Sequence, residues 1–187
     1  MAAFSRSDHI YVRRALGYEH HGIYVRDERV LQFGGSIWDK PHASVGPVTL
    51  ETFERGRRAK LYKHGSRTWW GVRRFPALPR ERIVRRAERL VEMQPEGLYD
   101  LLGYNCEHAA NFCSTNSYES YQVRGFDAVR LLISYPVAFL LSDRRRALSR
   151  RAAFAASMWA LAGIVSHWHR HRSGERFMEE VGRPLVQ

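Results

Sequence analysis

Asn105-Cys106-Glu107-His108 sets a cysteine one residue after a favoured helix N-cap, and nothing from Glu107 to Phe112 breaks a helix. On a first helical turn, unpaired backbone N–H groups and the helix dipole favour a thiolate, the reactive form of cysteine. A thiol nucleophile needs a proton acceptor. His20 lies in Gly17-Tyr18-Glu19-His20-His21-Gly22-Ile23-Tyr24-Val25, a segment that reads as a strand. Imidazole titrates near neutrality, so it can take the cysteine proton and later return it to a leaving group. The residue types alone leave a plainer reading open, because a lone cysteine near a helix start is often a small buried hydrophobe. His21 follows His20 on the strand and therefore points to the opposite face, as a structural or exposed residue. His108 projects from a different side of its helix than Cys106.

The elements that must carry these groups follow from local pattern. Ile10 to Arg14, Gly22 to Arg26 and Arg29 to Phe33 read as strands, with Asp27-Glu28 as the turn between the last two. Gly34-Gly35 ends that hairpin, and Ser36 to Val45 is turn-rich. Val48-Thr49-Leu50 leads into a short helix around Glu51 to Arg55, stopped at Gly56, and Leu61 to Lys63 suggests a further strand. Arg80 to Met93, between Pro79 and Pro95, is a helix with Ile83, Val84, Ala87, Leu90 and Val91 on one face. Its arginines line the other face, which reads as solvated surface.

With 44% hydrophobic and 12% aromatic residues in 187, the chain is long and apolar enough for one ordinary domain plus an appendage, which excludes a disordered protein. Cys106 and Cys113 on one helix stand about 10 Å apart, beyond disulfide reach, so both thiols are expected free, as suits a reducing compartment. The same spacing keeps the pair from sharing one zinc ion, whose thiolate bonds are about 2.3 Å long. His167, His169 and His171 read as an interfacial or solvated tail. No metal is expected.

After Val123 the composition changes. Ala128 to Leu141 and Ala152 to Val165 are apolar runs flanking the cluster Asp143-Arg-Arg-Arg-Ala-Leu-Ser-Arg-Arg151. Each falls short of the roughly twenty residues of a helical span, which leaves two readings: a membrane hairpin or interfacial anchor over 128–168, or two helices buried against the domain. The first is favoured. The net charge of +11 fits an anionic partner such as a phospholipid surface. Nucleic acid is a less favoured partner. "MAAFSRSDHIYV" shows no secretory signal, so a cytoplasmic, membrane-associated location is expected.

The segments "HIYVRR", "YEHHGIYV", "RVLQF", "VTLETFERG", "YDLLGYNCEHAANFC" and "SYQV" together resemble, in order and spacing, the lecithin:retinol acyltransferase-like proteins. These are circularly permuted relatives of papain and of NlpC-type peptidases, and the resemblance runs from Asp8 to Val123. It implies an α+β, permuted papain-like fold: an antiparallel sheet with packed helices over 1–124, then a C-terminal apolar and basic helical region over 125–187. It also implies Cys106 as nucleophile and His20 as base. Many members carry a second histidine twelve residues after the first, where this chain has Gln32. A glutamine amide can still orient the imidazole but cannot carry charge. Tyr18 and Tyr11 are candidate oxyanion donors beside the Cys106 N–H. The implied activity is thiol-dependent acyl transfer or hydrolysis of phospholipid or other acyl esters, without an organic cofactor. A cysteine peptidase or amidase of the same fold is the alternative enzyme, and Gln32 keeps open a non-catalytic membrane or nucleic-acid binder.

Overall fold

The computed structural model describes residues 4–15, 18–34, 44–66, 75–93, 104–123, 172 and 176–182. Apolar and β-branched residues alternate through the first part of the chain, and they form β1 (His9–Arg13), β2 (Glu19–Arg26) and β3 (Arg29–Gly34). Asp27 and Glu28 close the β2–β3 hairpin with φ of 46° and 56°. Two left-handed residues in succession match the twist of the flanking strands, the geometry hairpins prefer. The expected strands and turn are therefore present, and β2, from Glu19 to Arg26, takes in the His20 segment read as a strand together with Gly22 to Arg26.

The turn-rich reading of Ser36 to Val45 misses β4 (Ser44–Thr49), which pairs with β3 over its whole length. Gly46 and Pro47 hide it, since both are poor strand formers. They are tolerated because β4 is an edge strand of the sheet, whose order is β4-β3-β2-β1-β5 with β5 at Lys60–Leu61. All pairs are antiparallel. Helix α1 (Leu50–Glu54) is capped by Thr49, whose Oγ1 accepts from Thr52 N at 3.1 Å. It ends one residue before the expected glycine, at Arg55, which itself adopts φ 45°.

Two further helices, α2 (Arg80–Met93) and α3 (Cys106–Thr115), cover one face of the sheet. Ile83, Val84, Ala87 and Leu90 are the buried stripe of α2. The core on this face joins Ile23, Leu31, Phe33 and Val45 to Ile83, Ala87, Phe112 and Cys113. The other face carries a smaller cluster of Ile10, Val12, Tyr24, Val30, Phe53 and Ala59. An antiparallel sheet with helices packed on it is an α+β architecture.

Cys106 and Cys113 are both free and buried. The apolar runs at 128–141 and 152–165 lie outside the described residues, among which no helix is long and apolar enough to cross a membrane. The helical segment 176–182 contributes Met178 and Val181, 0% and 2% exposed, to the α2–α3 core. That segment thus packs into the same core as the sheet.

Candidate active site

Asn105 has extended backbone angles, and its Oδ1 accepts from Glu107 N at 2.9 Å and His108 N at 3.1 Å. The His108 ring closes a capping box by accepting from Asn105 N at 3.3 Å. His108 thus serves the helix cap, with its ring stacked 4.7 Å from that of Tyr118. The sequence places the cap correctly.

Cys106, 1% exposed, lies on the first turn with Sγ 3.0 Å from Tyr18 Oη and 3.9 Å from the Glu19 carbonyl oxygen. Burial pushes its thiol from 9.0 up to about 11, against the hydrogen bond from Tyr18 and backbone N–H groups of His21 and Glu107. This corrects the expectation of a resting thiolate. The helix start does supply an N–H, but removing the sulfur from water costs the charged form more than that donor returns.

His20 lies on the opposite face of β2 from His21, beside Phe53 at 5.2 Å between rings. Its Nε2 is 2.6 Å from Gln32 Oε1. The amide oxygen can only accept, so Nε2 carries the proton and Nδ1 is left as the basic nitrogen. Burial holds the ring down at about 4, with Arg14 and Arg55 adding to that effect and the Gln32 bond opposing it. A neutral imidazole results. Gly22 makes the arrangement possible, since a Cβ there would lie 2.6 Å from Val30 Cγ1 and 3.0 Å from the Phe53 ring.

Among the described residues no hydrogen bond joins Cys106 to His20; each is held by its own partners, Tyr18 and Gln32. Both lie by the start of β2: Cys106 Sγ approaches the Glu19 carbonyl from the α2–α3 face, and His20, the next residue of the strand, turns to the α1 face. Arg14 donates to the carbonyl oxygens of Glu54, at 2.8 Å, and Phe53, and its charge is felt by both His20 and Cys106. Of the two tyrosine candidates, Tyr18 touches the sulfur. Tyr11 does not: its ring stacks on His21 at 5.8 Å and meets Tyr62 edge-on.

Gln122 and Glu107 were not singled out by residue type, although both fall in motifs that carry the resemblance. Gln122 bonds both backbone groups of Glu19 and the Glu107 carboxylate. Among the described residues no group of three or more metal-ligating side chains is arranged to hold an ion.

A buried cysteine starting a helix on an antiparallel sheet, with a histidine–amide pair at the same sheet end, fits the class of thiol-dependent acyltransferases and hydrolases. The chain belongs to the lecithin retinol acyltransferase family, whose model matches residues 2–119. That family implies the permuted papain-like fold and a cysteine nucleophile. No curated protein matches the chain.

Proposed function

We propose that the protein is a phospholipase or acyltransferase that works on lipid esters through a thioester on Cys106. Sγ attacks the ester carbonyl as its proton passes to His20 Nδ1, and Gln32 holds the far nitrogen so that Nδ1 is the one presented. The tetrahedral oxyanion is met by the Cys106 N–H and the Tyr18 hydroxyl. Collapse expels the alcohol, which takes the proton from the imidazole. Water, or an alcohol or amine acceptor, then attacks the thioester and releases Cys106.

With thiol and imidazole both neutral at rest, proton transfer accompanies attack and does not precede it. The carrying observation is the pair of contacts at one sheet end, Tyr18 Oη to Cys106 Sγ at 3.0 Å and His20 Nε2 to Gln32 Oε1 at 2.6 Å. Lipid esters are favoured by the family and by the sequence of 128–168, whose apolar runs and arginines suit a membrane surface. The test is intact-protein mass spectrometry after incubation with mixed phospholipid vesicles. An acyl mass gain mapped to Cys106, lost in Cys106→Ala and kept in Cys113→Ala, is expected. Turnover by Cys106→Ala would remove the nucleophile assignment.

A further inference from the structure

We propose that Gln122 and Glu107 form a clamp that sets the spacing between the nucleophile helix and the strand carrying the base. The inference rests on Cys106 and His20 acting together, and it makes Gln122 a positioning residue. Glu107 directly follows Cys106 in α3, while Glu19 sits between Tyr18 and His20 at the start of β2. Gln122 joins the two. Its Oε1 accepts from Glu19 N at 2.7 Å, and its Nε2 donates to Glu19 O at 2.9 Å. The β2–β3 pairing runs only as far as Gly22 opposite Gln32, so the carboxamide stands in for a strand and satisfies backbone groups the ladder has left behind.

The second half of the clamp is a single carboxylate oxygen. Glu107 Oε2 accepts from Ser120 Oγ at 2.5 Å, from Gln122 N at 3.0 Å and from Gln122 Nε2 at 3.2 Å. Glu107 is 2% exposed, and a buried carboxylate with three donors is fixed more tightly than packing alone would fix it. Both Nε2 hydrogens are committed, one to Glu19 and one to Glu107. Gln122 is therefore spoken for as an oxyanion donor, and its effect on the chemistry runs through the placement of Cys106. A shift of about 1 Å between nucleophile and base can cost about a hundredfold in rate.

Coupling separates this role from mere support of the fold. Iodoacetamide alkylation of Cys106, followed by peptide mass spectrometry on fully folded protein, is measured in wild type, His20→Ala, Gln122→Met and the double variant. Base assistance requires that His20→Ala slow the wild-type reaction. In the Gln122→Met background that slowing should shrink at least about fivefold, because the base no longer meets the thiol in register. Glu107→Gln should shrink it less, since its amide oxygen still accepts from Ser120 and Gln122 N, and it serves as the second variant if Gln122→Met fails to fold. An undiminished His20 effect in both backgrounds would overturn the clamp while leaving the catalytic reading in place. No His20 effect in wild type would overturn the base assignment and the clamp with it.

Discussion

His20 and His21 are neighbours in the chain, yet strand alternation sends them into different chemistry. On the α1 face His20 has one ring nitrogen tied to a glutamine amide and an aromatic floor in Phe53. On the helix face His21, 0% exposed, is part of a row of imidazoles: its Nδ1 is 2.9 Å from His9 Nε2, and His9 Nδ1 is 3.0 Å from His64 Nε2. Tyr11 and Tyr62 pack against the same rings. A general base needs one nitrogen held and the other available to the thiol, whereas a ring within such a row shares its protons with its neighbours. The proposed base is thus held by a single amide, while its neighbour is built into an aromatic and imidazole cluster.

Exchanging the two roles is the most direct way to break that contrast. His20→Ala should slow thioester formation about 10²- to 10⁴-fold with the melting temperature little changed. His21→Ala should do the reverse, costing about 2 to 5 kcal/mol of stability, as for other large buried side chains, with modest loss of rate per folded molecule. Single-turnover acylation and thermal melts on both variants read the outcome. Stability loss in the first with rate loss in the second would move the base to His21.

The tyrosines extend the comparison with a smaller effect. Tyr18→Phe removes the hydroxyl at Cys106 and should lower the acylation rate about a hundredfold, as for one oxyanion donor. Tyr11→Phe, in the histidine row, should leave it within about threefold, because it removes no group that touches the sulfur. Equal kinetics in the two would exclude Tyr18 from the oxyanion site.

Gln32 sharpens the description of the base. Gln32→Ala loses one orienting hydrogen bond, about 1 to 3 kcal/mol, and should slow acylation about ten- to a hundredfold. Gln32→His should keep substantial activity, since an imidazole at that position can also accept from Nε2. An unchanged alanine variant would leave a Cys106–His20 dyad.

The smallest expected effects are those of pH. His20 is held down from 6.5 to about 4, so the acid limb of kcat/KM should fall near pH 4. Between those values the unfolded chain binds a proton at this ring that the folded chain refuses, so stability drops as pH falls through the window. Cys106 is raised from 9.0 to about 11, so there the unfolded chain loses its proton first and stability drops as pH rises through that range. An acid limb near the ordinary histidine value would mean that His20 is well solvated in the working enzyme.

Local pattern was enough to read the β2–β3 hairpin, the Asn105 cap, the stripe of α2 and the separation of His20 from His21. Each of these is decided by neighbours within a few residues, through alternation, a turn or a cap. The pairing of His20 with Gln32 was legible only through the family resemblance, which puts a partner twelve residues after the histidine; the register itself sets Gln32 opposite Gly22. Strand β4 was not legible, since what admits Gly46 and Pro47 is the strand's place at the sheet edge. The thiol's upward shift was not either. A helix start is visible in sequence, but how much water the packed sheet and helices remove from Cys106 is a property of all the elements at once. The row from His21 through His9 to His64 and the Gln122–Glu107 link likewise join segments far apart in the chain. Sequence determined which groups could do the chemistry and which face of its strand each would take. Only the tertiary structure decided their protonation at rest and their mutual spacing, because burial and long-range hydrogen bonds exist only once the elements have packed.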